Sequence, residues 1–435
     1  MSAMRRSSAV LGFVWICALP LALAAPTLPV APARVDAEVQ TLLPGLETLY
    51  QQVHAHPELA FHETRTAALL AQQMRRLGFK VTEGFGKTGL VAIYENGPGP
   101  TVLVRTELDA LPMTEATGLP YASQDPGADH SCGHDLHMAI WVGTAATLIH
   151  FKSAWHGRLM FIGQPAEEAV QGAKAMMDDG LYTKFGKPDY GLMLHVRNDP
   201  AGRLTLKPGI WTSALDNVQI TFRGRGAHGS MPHESIDPIV MAAHFVTDVQ
   251  TIISREKNPA KFGVITVGSF QAGTAPNIIP DTAVLQLTLR SYDPKVRSLL
   301  LEGVKRTAAA EATMSNAPPP EVLVTAGTAA IENDPAVTAR IAATFQTIFG
   351  SAVDAEPADA DPIAASEDFS EFQVGVPVLS YELGAYDPKV LEHDKAAGIP
   401  VPVNHSPLFA PTMEPTINVG IRSMTYAVIN LLQGR

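Results

Sequence analysis

The chain has 435 residues, of which 46% are apolar and 17% charged, and a formal net charge of −11. That balance belongs to a globular protein and excludes a disordered one. An acidic chain without a run of clustered Lys and Arg lacks the basic stripe of a duplex-binding surface, so nucleic acid is not an expected partner.

The chain opens with Arg5 and Arg6, an apolar run from Val10 to Leu23, and Ala22-Leu23-Ala24. This is the order of a secretory signal: a charged start, a short apolar stretch and a small-residue cleavage site. The run is short against the roughly 20 apolar residues that span a bilayer, and Pro20 interrupts it. Residues 1–24 are therefore expected to be a cleaved signal peptide. The protein is expected to be exported, periplasmic or secreted, with no stable membrane insertion afterwards. Residues 25–40, beginning "APTLPVAPARV", read as a Pro/Ala linker. Cleavage removes Cys17 and leaves Cys132, so no intramolecular disulfide is expected.

The elements that follow alternate. The spacing in 63–79 predicts a helix, 90–94 and 101–105 strands, 138–151 an apolar helix, 158–162 a buried strand, 167–180 a helix and 190–194 another strand. This rhythm predicts an α/β fold with a mostly parallel sheet covered on both faces. After residue 211 the order becomes β-α-β-β-α-β, with strands at 217–222, 263–270, 283–290 and 321–325 and helices at 237–254 and 294–312. That is the order of a ferredoxin-like α+β sandwich. Asp237 is expected as a helix N-cap with Pro238 at the first helical position. The α/β pattern resumes with a helix at 334–350, a strand at 378–383 and a last helix from Pro415 to Leu432. The expected organisation is a catalytic domain of residues 41–211 and 326–435, with residues 212–325 inserted into it.

Functional side chains of open α/β sheets gather beyond the carboxyl ends of strands. "RTELD" (105–109), "DHSCGHD" (129–135), "GQPAEE" (163–168), "LHVRN" (194–198) and "NHSP" (404–407) each place His, Cys, Asp or Glu at such an exit or at a helix start. Alone, a strand-end histidine has an ordinary structural explanation, as has a Glu pair at a helix start. Their convergence on His, Cys and carboxylate suits a borderline-soft cation such as zinc. Cys132 and His134, two apart in an extended loop, would face one ion. Adjacent Glu167 and Glu168 project differently, so one carboxylate would hold a cation while the other takes a proton from water.

In order along the chain, "HAHPELAFHET" (54–64), "RTELDALP" (105–112), "HSCGHD" (130–135), "QPAEE" (164–168), "LHV" (194–196), "GRGAHGSMPHESIDP" (224–238), "PNIIPD" (276–281), "SEDFS" (366–370) and "HSP" (405–407) resemble the dinuclear-metal amidohydrolases. That family includes hippurate hydrolase, auxin-conjugate hydrolases, aminoacylase and carboxypeptidase G. The resemblance implies two divalent cations, zinc or manganese foremost and cobalt or nickel as alternatives, held by Cys132, His134, Glu168, His195 and His405. It implies Glu167 as general base and Asp109 as an acidic residue orienting the site from behind. In the insert it implies His228 polarising the scissile carbonyl, often across a dimer, and Asn277 and Arg290 holding the substrate's carboxylate. The insert would serve as lid and homodimer surface.

Two positions depart from the hippurate-hydrolase branch: Glu107 stands where an Asp is usual, and Gly163 where a Phe is usual. His137 and His233 are read as hydrogen-bonding residues. The expected activity is hydrolysis of the amide in small-molecule N-acyl amino acids. A dipeptidase or carboxypeptidase on the same scaffold is the alternative, and a non-catalytic binding protein the rival of another class.

Overall fold

The computed structural model describes residues 28–434. The proposed signal segment, 1–24, lies outside them. The chain begins with α1 (Pro32–His54), α2 (Thr64–Arg76), β1 (Lys80–Phe85), β2 (Gly89–Asn96) and β3 (Thr101–Glu107). Then come α3 (His134–His150), β4 (Gly157–Gln164), α4 (Gly172–Asp178), α5 (Leu181–Phe185), β5 (Tyr190–Pro200), β6 (Leu204–Leu206) and β7 (Gly209–Ile210). The insert contributes β8 (Ala214–Arg223), β9 (Ala227–His228), α6 (Pro238–Asp248), β10 (Gly263–Ala272), β11 (Ile278–Ile279), β12 (Thr282–Ser291), α7 (Pro294–Met314) and β13 (Glu321–Thr328). The return path holds β14 (Glu332–Asn333), α8 (Pro335–Phe349), β15 (Val353–Ala355), β16 (Val378–Tyr386), α9 (Pro388–Ala397) and α10 (Met413–Leu432).

The linker reading of 25–40 fails from Pro32 onward. Pro32 sits in the first helical turn, and Val35, Val39, Leu43, Leu46, Tyr50 and Val53 are buried along one face of α1. A stripe repeating every three to four residues gives a helix a face to bury. It packs with α3 and α10.

The large sheet runs β1-β2-β4-β3-β5-β16-β6-β15. Its centre, from β4 through β3 and β5 to β16, is parallel, and β1 and β2 are added antiparallel at one end. The central strands bury both faces, which explains their unbroken apolar runs. Val102, Val104, Phe161 and Leu192 join the core that includes Leu46, Trp141, Phe345 and Ile421. Their neighbours Leu103, Met160, Ile162 and Met193 join the opposite core with Met176, Trp211, Phe369 and Phe372. The expected α/β fold with a mostly parallel sheet is the observed one.

The insert forms an antiparallel sheet of order β10-β12-β8-β13. Its second core joins Val218, Ile220, Phe222, Leu285 and Leu287 of the sheet to Phe245 of α6 and Leu300 of α7. The Asp237 side chain accepts from the Ile239 amide at 2.9 Å, capping α6 with Pro238 in its first turn. Residues predicted to continue this helix to 254 instead pass into a π-helical turn, Ile252–Glu256. The two crossings between insert and large sheet are tied by β7 and β14, where Ile210 pairs with Glu332.

Candidate active site

The site begins at the turn before α3. Cys132 and His134 flank Gly133, the N-cap of α3, whose φ is 92°. The expected extended loop is thus a tight turn, and α3 starts at His134 rather than 138. A side chain at position 133 would place its Cβ 2.4 Å from Val196 Cγ2. Glycine alone fits both this left-handed backbone and this approach.

A second turn positions the glutamates. The predicted helix 167–180 begins only at Gly172, and Glu167 and Glu168 lie in the turn ahead of it. Ala166 (φ 48°) and Val170 (φ 54°) take left-handed conformations that a helix cannot contain. A Cβ at Gly172 would fall 1.5 Å from the Pro165 carbonyl oxygen. The glutamates are therefore not a helix-start pair interacting with a dipole.

These turns bring the candidate donors together. Cys132 Sγ lies 3.5 Å from His195 Nε2. Glu168 Oε1 lies 3.8 Å from His134 Nε2 and 3.4 Å from His405 Nε2. Glu167 Oε2 lies 3.8 Å from His134 Nε2. His134 Nδ1–H donates to the Asp109 carbonyl at 2.8 Å, and His195 Nδ1 is 2.9 Å from the Val196 carbonyl. With those protons on Nδ1, both Nε2 lone pairs face the cluster. Asp109 Oδ2 accepts from the Glu168 amide at 2.9 Å, so Asp109 steadies two members at once. Asn404 Nδ2 donates to the Cys132 and Val196 carbonyls at 2.9 and 3.1 Å and anchors the loop carrying His405.

His134 Nε2 and Glu168 Oε1 are buried without a hydrogen-bond partner among the described residues. Leaving such groups bare costs about 1–3 kcal/mol each. A thiol, three imidazoles and a carboxylate with two unpartnered donor atoms fit a divalent cation.

The two glutamates differ electrostatically. Burial pushes the Glu168 carboxyl up, but His405 and His134 overcome it and bring the pKa down to about 2. Burial pushes Glu167 well above the carboxylate range, and Glu367, Glu168 and Asp368 push it further. Burial, with Glu168 and Glu167, also raises the Cys132 thiol.

Beneath them lies an ion network that the sequence reading missed. Arg105 is buried and donates to Glu367 Oε1 at 2.7 Å, to Gln164 Oε1 at 2.8 Å and to Glu107. Glu107 accepts from His137 Nδ1 at 2.9 Å, and His137 Nε2 accepts the Val196 amide at 2.9 Å. Both His137 nitrogens are thus in hydrogen bonds. Glu107 joins Arg105 to His137. Arg105 and Glu367 stood in quoted motifs, "RTELD" and "SEDFS", but 262 residues separate them. His233 lies on an exposed turn, Pro232–Glu234.

A cleft of about 760 Å³ opens over the cluster between the large sheet and the insert. Cys132, Glu167, Glu168, His195, His405 and Arg290 all line it. Arg290 Nη1 donates to the Ala364 carbonyl and Ser366 Oγ, each at 3.0 Å. His228 and Asn277 do not line this cleft. Both are exposed, His228 within β9 and Asn277 just before its partner β11. Within a single chain the two residues therefore do not reach the cleft that Arg290 lines.

Comparison with known proteins gives this geometry a family. The chain is 34% identical over 393 residues to a probable hydrolase of Synechocystis sp., covering 89% of this chain and 96% of that one. It is 38% identical over 271 residues to hippurate hydrolase of Campylobacter jejuni, covering 61% and 70%. A dinuclear metal-binding M20 peptidase of Bacillus subtilis superposes with a TM-score of 0.72 at 25% identity, over 91% of this chain and all of that one. Residues 103–400 match the profile of peptidase family M20/M25/M40, and the chain belongs to that family of hydrolases.

Proposed function

We propose that the protein is an exported, metal-dependent amidohydrolase that cleaves N-acyl amino acids with a free carboxylate. The observation that carries this reading is one cleft lined by a metal-fitting donor cluster, the buried Glu167 and the guanidinium of Arg290. The name of the Campylobacter jejuni relative, hippurate hydrolase, supports the substrate class. The dinuclear metal-binding relative supports two cations. Cys132, His134, Glu168, His195 and His405 would hold them. Bound there, divalent cations supply Lewis acidity and make water a nucleophile near neutral pH.

The rest falls to the chain's own side chains. Glu167 takes a proton from water in the cleft as its oxygen bonds to the amide carbon. It returns that proton to the nitrogen as the C–N bond breaks. Glu167 lines the cleft beside the donor cluster, where its carboxylate can reach water and substrate. Asp109 keeps His134 and Glu168 in register through its carbonyl and its Oδ2. Arg290 offers a planar fork to the carboxylate of the leaving amino acid. A homodimer through the insert would carry His228 and Asn277 to the partner's cleft, which fits their exposure here.

The test is a panel of N-acyl amino acids, including hippurate, against dipeptides with free amines, each assayed with several divalent cations. Preference for the acylated compounds supports the proposal. Preference for the dipeptides overturns the substrate class while leaving the metal chemistry standing.

A further inference from the structure

We propose that the open face of the insert's sheet is a subsite for a neutral, amide-bearing extension on the side chain of the leaving amino acid. The inference rests on the N-acyl-amino-acid reading above. Val218, Ile220, Leu285 and Leu287 point to α6 and α7 and form the insert's core. Strand alternation therefore turns Asn217, Gln219, Gln286 and Thr288 to the opposite face. Cross-strand pairing makes them a ladder. Thr288 pairs with Asn217 and Thr266, and Gln286 with Gln219 and Ser269.

This face is continuous with the active-site cleft. A shallow groove of about 390 Å³ runs along it and shares Asn217 and Thr288 with the cleft. Arg290, the proposed carboxylate holder, is two residues from Thr288 on the same face of β12. A substrate anchored at Arg290 meets Thr288 and Asn217 first, then Gln286 and Gln219. The rungs recur every ~6.8 Å, the repeat of two residues in an extended chain.

The lining selects the chemistry. Besides Val218 and Leu287, whose side chains belong to the insert's core, it consists of amides, hydroxyls and a glycine, with no charged side chain. Side-chain amides both donate and accept, as peptide groups require. An apolar chain would strip water from them without replacing its hydrogen bonds. Thr288 Oγ1, at the junction of groove and cleft, is shielded from solvent and has no hydrogen-bond partner among the described residues. A ligand amide would supply one.

The experiment compares two compounds with the same benzoyl group and free α-carboxylate. One is N-benzoylglutamine, and the other carries its side-chain amide extended by glycylglycinamide. Two or three added hydrogen bonds should lower KM for the extended compound about tenfold in the metal-loaded, full-length protein. In the Gln219→Leu/Gln286→Leu double variant that ratio should fall to about one. Turnover of the short compound should persist, which also reports that the variant is folded. Equal KM values in the parent protein, or an unchanged ratio in the variant, overturn the subsite. A changed mass by light scattering with an unchanged ratio also overturns it and assigns the face to contact between copies. Failure to hydrolyse either compound refutes the reading beneath the proposal, and the subsite with it.

Discussion

His54 offers a test of the electrostatics behind the site. Its Nδ1 lies 2.6 Å from Asp135 Oδ2 and its Nε2 3.3 Å from Glu115 Oε2, with the rings of Tyr50 and Tyr121 against it. Burial pushes the imidazolium pKa down, but Asp135 and Glu115 outweigh it and raise it to about 9 from the ordinary 6.5. A folded-state pKa above the unfolded one stabilises the protein fully below pH 6.5. That stability fades as pH rises through 9. A rise from 6.5 to about 9 corresponds to about 3 kcal/mol. His54→Gln removes the titration. Denaturation of metal-saturated protein, followed from pH 6 to 10, should show the two proteins' stabilities converging by about that amount above pH 9. Parallel curves across the whole range would refute the reasoning, because they would mean that His54 gains no proton affinity on folding.

Three further predictions concern the cleft. Glu167→Gln should lower kcat by about 10²–10⁴-fold while metal content and folding change little, since it removes a base and keeps the shape. Glu168→Gln should lose metal as well as turnover, and metal analysis of both variants would expose reversed roles. Arg290→Ala should weaken substrates with a free carboxylate far more than their carboxamides. An equal loss for both would reduce Arg290 to its contacts with Ala364 and Ser366.

Much of this was legible in the sequence where local signals agree. Asp237-Pro238 capped a helix as read, because capping depends only on neighbouring residues. The central strands were visible as apolar runs. The first helix was hidden by Pro32, which lies in its first turn and, with Pro26 and Pro29 before it, mimics a linker's composition. The glutamate turn was hidden for another reason: nothing local announces left-handed backbone at Ala166 and Val170. The close packing of Gly172 on Pro165 does, but only in three dimensions. The Arg105 network was equally invisible, since Glu107 is two residues away but Glu367, which completes it, is 262 residues distant. The motifs around Cys132, His134, Glu168, His195 and His405 named residues that do converge. Those naming His228 and Asn277 pointed to positions that a single chain leaves outside its own cleft.

The most direct test of the central claim is hydrolysis of an N-acyl amino acid before and after removal of metal. Exhaustive dialysis against a strong chelator should abolish turnover. Titration with a divalent cation should then restore it, reaching a plateau at two cations per chain. Undiminished turnover in protein shown to be free of metal would contradict the account.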